Sequence, residues 1–120
     1  MAGKVKCGLY LNRREMKILP SYYESFERLK RPHLRPVFDK LLRKIDAGHP
    51  SAAKPIRSFN AKRHTDEQLY EASSNLDGGY RIYWKKKTNS PSARPVVMLC
   101  GMKKTQATDI ETAFDMILNG

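Results

Sequence analysis

The feature that most constrains the fold is a run of five apolar residues near the C-terminal end, Val96-Val97-Met98-Leu99-Cys100. A run this short, without polar alternation, reads as a strand covered on both faces in the middle of a sheet. The patterns on either side agree. Upstream, Tyr80, Ile82 and Trp84 alternate with Arg81, Tyr83 and Lys85, giving a neighbouring strand one apolar face and a second face that carries a guanidinium and a phenol. Asp77-Gly78-Gly79 precedes that strand as a turn signal, and Thr88 to Arg94 reads as the next turn. Gln68 to Ser73 alternates well enough to be the strand that pairs with it. Downstream, Lys103 and Lys104 are the first charged residues after the buried strand emerges, a common place to find function.

The remaining chain supplies packing for this sheet. Val5, Cys7, Leu9 and Leu11 alternate with polar residues, and Met16 to Leu19 follows a turn at Asn12-Arg13-Arg14; a hairpin over 4–19 at one side of the sheet is expected. Ser21 and Glu24 have the spacing of a capping box at the start of a helix over 21–31, with Tyr22, Tyr23, Phe26 and Leu29 on one face. Pro36 suits the first turn of a second helix over 36–47, whose stripe is Val37, Phe38, Leu41, Leu42 and Ile45, closed by Gly48 and Pro50. Ser51 to Thr65 reads as irregular. Thr108 and Glu111 form another capping box before a helix over 108–118. The expectation is one α+β domain over 1–120: an antiparallel sheet of four to five strands with its main part at 67–101, two N-terminal helices packed on it, and a C-terminal helix.

The charge balance narrows the partners. There are 23 lysines and arginines against 12 acidic residues, a formal net charge of +11, and the excess lies wholly in residues 1–64, which hold 16 basic and 5 acidic residues. Such a field favours polyanions, nucleic acid first and an acidic protein second. The first residues have no apolar signal core and no run approaches a membrane span, so a cytoplasmic protein without membrane contact is expected. Cys7 and Cys100 both sit on strand-like runs and read as small buried side chains; neither they nor the three histidines have metal-ligand spacing, so no metal or cofactor is expected.

The element order, with Gly79-Tyr80-Arg81-Ile82-Tyr83-Trp84 opening one strand and Lys103-Lys104-Thr105-Gln106, Asp109-Ile110 and Ala113 following the last, resembles the RelE/ParE superfamily of toxins from prokaryotic toxin–antitoxin modules, HigB-like members included. The resemblance runs in element order from about Met16 to Leu118, and its specific part lies between Gly79 and Ala113. It implies one of two activities: endoribonuclease cleavage of mRNA on the translating ribosome, or inhibition of DNA gyrase. It also implies a cognate antitoxin protein. By similarity, Arg81 falls on the strand arginine of RNA-cleaving members, and Lys103 and Lys104 on the basic pair after the last strand. The chain departs from those members in having no lysine and one glutamate, Glu71, in 68–74, and in placing Ile110 where they present a tyrosine.

If RNA is the substrate, the economical chemistry is attack by its own 2′-hydroxyl on the adjacent phosphate, with the protein supplying orientation, proton transfer and positive charge. Arg81 suits the phosphate because its planar fork binds two oxygens. Lys104 and Lys103 are placed to stabilise the charged intermediate. His64, in the basic run Lys62-Arg63-His64, is the candidate for proton transfer near neutral pH. Lys62, Arg63, Lys85 and Tyr83 are candidate RNA contacts, the phenol as a surface for a base. Arg81 has a competing reading as a cross-strand partner of Glu71. The remaining alternatives are a non-catalytic toxin that binds gyrase or another protein, and an inactive relative; self-pairing is left open.

Overall fold

The computed structural model describes residues 16–57, 66–74, 79–88, 90 and 92–119. Their architecture is α+β: a mixed five-stranded sheet with α-helices on both faces. In chain order the elements are β1 (Lys17–Ile18), α1 (Pro20–Leu29), α2 (Arg35–Asp46), β2 (Lys54–Pro55), β3 (Glu67–Ser74), β4 (Tyr80–Lys87), β5 (Val96–Met102) and α3 (Gln106–Asn119), and the sheet order is β1-β5-β4-β3-β2. The antiparallel sheet expected from the sequence holds for β2 to β5 only. β1 runs parallel to β5, with Lys17 opposite Val96 and Ile18 opposite Val97, so Met16 to Leu19 forms a short outer strand against β5. The first arm of the expected hairpin lies outside the described residues.

The alternation along β4 sorts the core into two layers. Tyr80, Ile82 and Trp84 pack with Tyr22, Phe38, Leu41 and Ile45 under α1 and α2, whereas Tyr83 joins Leu69, Met98, Leu99, Phe114 and Ile117 under α3. Val97 to Gly101 are buried throughout, as a strand with helices on both faces requires. Between β4 and β5 the register slips: Tyr83 is opposite Leu99 and Trp84 opposite Val97. Met98 is therefore the extra residue of a bulge, and both Met98 and Leu99 reach the α3 layer. Burial holds the Cys100 thiol protonated, its pKa pushed up to about 11 against a lowering hydrogen bond from Ser25.

The two-residue β1 leaves the outer edge of β5 uncovered beyond Val97, and α1 takes over there. Ser21 Oγ donates to the Met98 carbonyl, and Ser25 Oγ, 3.0 Å from the Cys100 nitrogen, accepts its N–H while donating to the Tyr22 carbonyl at 2.8 Å. The two serines are one helical turn apart and so face the strand together. This explains why Ser21 does not cap. Pro20 occupies the first helical position, where its missing N–H is harmless, and the cap residue Leu19 offers no side-chain acceptor. The C-terminal helix also starts earlier than its expected box. A 3-10 turn, Lys103–Thr105, runs straight into Gln106, and the Met102 N–H donates to Thr105 Oγ1 at 3.3 Å. Gly48, at φ +73°, closes α2 as expected, its N–H donating to Ile45.

The stretch read as irregular contributes an edge strand. Lys54 and Pro55 pair with Glu71 and Tyr70 of β3, a position that tolerates proline because one side of an edge strand needs no N–H. Among the described residues no helix is long and apolar enough to cross a membrane, and no group of three or more His, Cys, Asp or Glu is arranged to hold a metal ion.

Candidate functional site

The polar face of β4 lies on the α3 side. Arg81, Tyr83 and Lys85 stand in a row there, and the two cations each find a carboxylate on β3 by the same diagonal. Arg81 is opposite Ser73 and Tyr83 opposite Glu71, yet Arg81 Nε donates to Glu71 Oε2 at 2.9 Å. Lys85, opposite Leu69, likewise reaches Glu67 Oε1 at 3.0 Å. Glu71 is only 3% exposed, and its other oxygen, Oε1, accepts from Gln106 Nε2 at 3.1 Å. One buried carboxylate thus ties β4 and the first residue of α3 to β3. A carboxylate at that depth needs both partners to offset its desolvation.

Gly79 sets the geometry at the head of β4. Its φ of +98° is a conformation that favours glycine, and a Cβ there would lie 3.1 Å from Arg81 Nη1 and 3.6 Å from Lys103 Cβ. The Lys103 N–H donates to the Gly79 carbonyl at 3.2 Å, which fixes the 3-10 turn against the hairpin. The guanidinium and the base of the Lys103 side chain therefore meet over one small residue. Arg81 Nη1 is buried and has no hydrogen-bond partner among the described residues, while Lys103 and Lys104 are exposed and take no part in the ion pairs found there.

The other candidates fall differently. Tyr83 is fully buried, so it offers no surface on which a base can stack, and its assignment as an RNA contact is corrected to a core residue. The bulge beside it and the closure of α3 over the sheet are the cause. Burial, with Glu71 and Asp109 nearby, raises its pKa, and the hydroxyl finds no partner among the described residues. Lys85 is half-buried and engaged by Glu67. Lys62, Arg63 and His64 lie outside the described residues. The structure thus brings Arg81 and Lys103 together and leaves Lys104 exposed one residue further along the same turn.

Two residues of the site escaped the sequence reading. Gln106 entered it only as part of a motif, yet it supplies the second ligand of Glu71. Asp109 folds back over β5: a Cβ at Gly101 would overlap its carboxylate, and Thr105 Oγ1 lies 2.7 Å from Asp109 Oδ2. Burial raises the Asp109 pKa, with Thr105 and Arg28 opposing. The signal in the sequence is a glycine at the end of an apolar strand together with a Thr and Asp four residues apart. The corner thus sets a largely buried guanidinium beside the root of the exposed Lys103 side chain, just ahead of α3. Comparison with protein-family models, with curated proteins and with solved structures finds no match for the chain.

Proposed function

We propose that the chain is a toxin of the RelE/ParE kind which binds an RNA phosphate between Arg81 and Lys103, and that it acts as a ribosome-dependent mRNA endoribonuclease. The observation that carries this reading is the convergence of Arg81 and Lys103 on Gly79, where an added Cβ would lie 3.1 Å from Arg81 Nη1 and 3.6 Å from Lys103 Cβ. The +11 charge supports a target embedded in RNA. In the step proposed, the substrate's 2′-oxygen attacks the adjacent phosphorus and loses its proton to a base. The bond to the departing 5′-oxygen breaks as that oxygen gains a proton, and a 2′,3′-cyclic phosphate remains. Arg81 and Lys104 stabilise the negative charge that grows on the phosphoryl oxygens. His64 is the proton carrier of this scheme. The wider assignment keeps a RelE-like fold, a cytoplasmic setting and a cognate antitoxin, whose acidic segment would suit the basic surface.

A second reading is a non-catalytic toxin that binds gyrase or another protein, and a specific observation favours it: Glu71 already holds the Arg81 Nε edge in a partly buried pair. The absence of lysine from β3 and the presence of Ile110 on α3 point the same way. Brief induction in cells followed by mapping of transcript 5′ ends separates the two. Cleavage phased with codons, lost in Arg81→Ala and Lys104→Ala, is the expected result. Growth arrest with intact transcripts and altered DNA supercoiling would transfer the assignment to the second reading. No effect on growth would leave an inactive relative that binds its antitoxin alone.

A further inference from the structure

We propose that the groove between α1 and α2 is a second nucleic-acid site, which takes one unstacked base of a single-stranded RNA against its aromatic lining and the flanking phosphates on Lys30, Arg31 and Arg35. The groove encloses about 570 Å3, within the range of about 300–1,000 Å3 that suits a small ligand. Tyr22, Phe26, Leu42 and Tyr23 give it an apolar lining. Tyr23 is 52% exposed and stands edge-on to the buried Tyr22, with ring centroids 5.3 Å apart; an open ring braced by a buried one is a platform on which a base can stack. Lys30, Arg31 and Arg35 line the same groove where α1 gives way to α2. All three are exposed, and Lys30 and Arg31 join no ion pair among the described residues. Two carboxylates, Glu27 and Asp39, also line it; Asp39 is met by Arg35 at 3.9 Å, a loose surface pair of the kind that contributes little.

Two further observations select nucleic acid as the occupant. Residues 16–57, which include α1 and α2, hold ten lysines and arginines against four acidic residues, whereas α3, across the sheet, holds three acidic residues and no basic one. A polyanion is therefore drawn to the α1–α2 face. Lys30, moreover, is the only non-glycine residue with a positive φ among those described, at +56°. It closes α1 with its N–H donating to the Glu27 carbonyl at 3.0 Å, a left-handed position where glycine is the usual and less strained choice. A lysine kept there at a cost to stability is accounted for by a contact that its ammonium makes. Cations gathered where the two helices join suit a base with its phosphates better than the long apolar stripe of an acidic helix. The groove belongs to the layer opposite that of Tyr83 and its row-mate Arg81, so the two sites stand or fall separately.

The probe is a fluorescein-labelled ten-nucleotide oligouridylate with 2′-O-methyl riboses, which cannot be cut by attack of a 2′-hydroxyl, titrated with the full chain over about 50–200 mM salt. Tyr23→Ala is expected to weaken binding about tenfold, the loss of one base–aromatic stack, and Tyr23→Phe to keep wild-type affinity. An abasic oligomer of the same length should bind Tyr23→Ala and wild type alike. Lys30→Gly relieves the left-handed cap, so its urea midpoint should rise, while RNA binding weakens and the slope of log affinity against log salt falls by about 0.7, one phosphate contact on a single strand. A merely structural role for Lys30 cannot give a more stable protein that binds RNA less well. Arg31→Ala should lower the slope in the same way. Wild-type binding in Tyr23→Ala overturns the inference whatever the charge variants do, and leaves the Arg81 reading untouched. Binding of a glutamate-rich amphipathic peptide but not of the RNA, or a dimer in sedimentation that Tyr23→Ala dissociates, would give the groove to another protein or to a second copy and overturn it as well. Transcripts left whole in cells, with the groove variants still weakening RNA binding, would remove the endoribonuclease reading and leave this site standing.

Discussion

Arg81 and Glu71 meet on the diagonal of the β3–β4 hairpin, not directly across it, with Nε 2.9 Å from Oε2. The diagonal matters because it pulls the carboxylate toward the centre of the sheet, under α3, where it is buried and Gln106 can reach it. Removing Glu71 should therefore do more than delete an ion pair. Glu71→Ala leaves a guanidinium that is only 14% exposed without its counter-charge, and breaking a pair of this kind by removing one partner costs about 3 kcal/mol. Replacing both, as Glu71→Leu with Arg81→Met, should cost markedly less, since no uncompensated charge remains. Urea unfolding followed by emission of Trp84, the chain's one tryptophan, checks both; equal losses would show that the pair is not buried as described.

The order of β3, β4, β5 and the helices was legible because each depends on a local period. The apolar run 96–100 and the alternation at 80–85 can be read without knowing what lies beside them. What escaped was everything decided by partners distant in sequence. Met16 to Leu19 carries no mark that it will lie parallel to Val96-Val97, and Pro55 looks like a breaker until β3 makes it an edge. Ser21 reads as a cap, but the uncovered edge of β5 claims its hydroxyl. At the site, the basic residues were visible by type. Tyr83 was misread as a surface residue because the covering helix is not encoded near it, and the division of Glu71 between Arg81 and Gln106 joins residues 35 apart.

Gly101 should be intolerant of a side chain although its backbone is ordinary strand. An added Cβ would overlap the Asp109 carboxylate, so Gly101→Ala must push α3 away from β5 or force Asp109 out to solvent. Overpacking of this kind costs about 1–3 kcal/mol. In an Asp109→Ala background the obstacle is gone, and the penalty for Gly101→Ala should fall to a fraction of its value. A double-mutant cycle by thermal or urea unfolding measures the difference; additive penalties would mean that the two positions do not touch.

Asp109 gives stability a defined dependence on pH. Its folded-state pKa is raised by burial above the ordinary carboxylate value, so the folded protein holds that proton more tightly than the unfolded chain. Stability from this group is full below the unfolded pKa and is lost as pH rises through the raised folded one. Asp109→Asn keeps the shape and an acceptor for Thr105 without the charge. Relative to wild type it should be more stable at pH 7, with the advantage shrinking toward pH 4. Urea midpoints at the two pH values test this, and an advantage that grows on acidification would reverse the assigned direction.

Ser25 should be worth more than its size, because it completes a sheet edge that no strand covers. Its hydroxyl accepts the Cys100 N–H at 3.0 Å and donates to the Tyr22 carbonyl at 2.8 Å, in a position that is buried. Ser25→Ala leaves the amide of β5 without an acceptor inside the protein, a loss of about 1–3 kcal/mol. Ser21→Ala, one turn earlier, removes a donor from the Met98 carbonyl and should cost less, about 1 kcal/mol, since Ser21 itself is only half-buried. The local signature separates this from general destabilisation. Amide exchange at Cys100 should accelerate in Ser25→Ala by more than the change in global unfolding accounts for, because the one bond that protects it from the α1 side is gone. Exchange that merely tracks global stability would mean that β5 finds another acceptor at this edge.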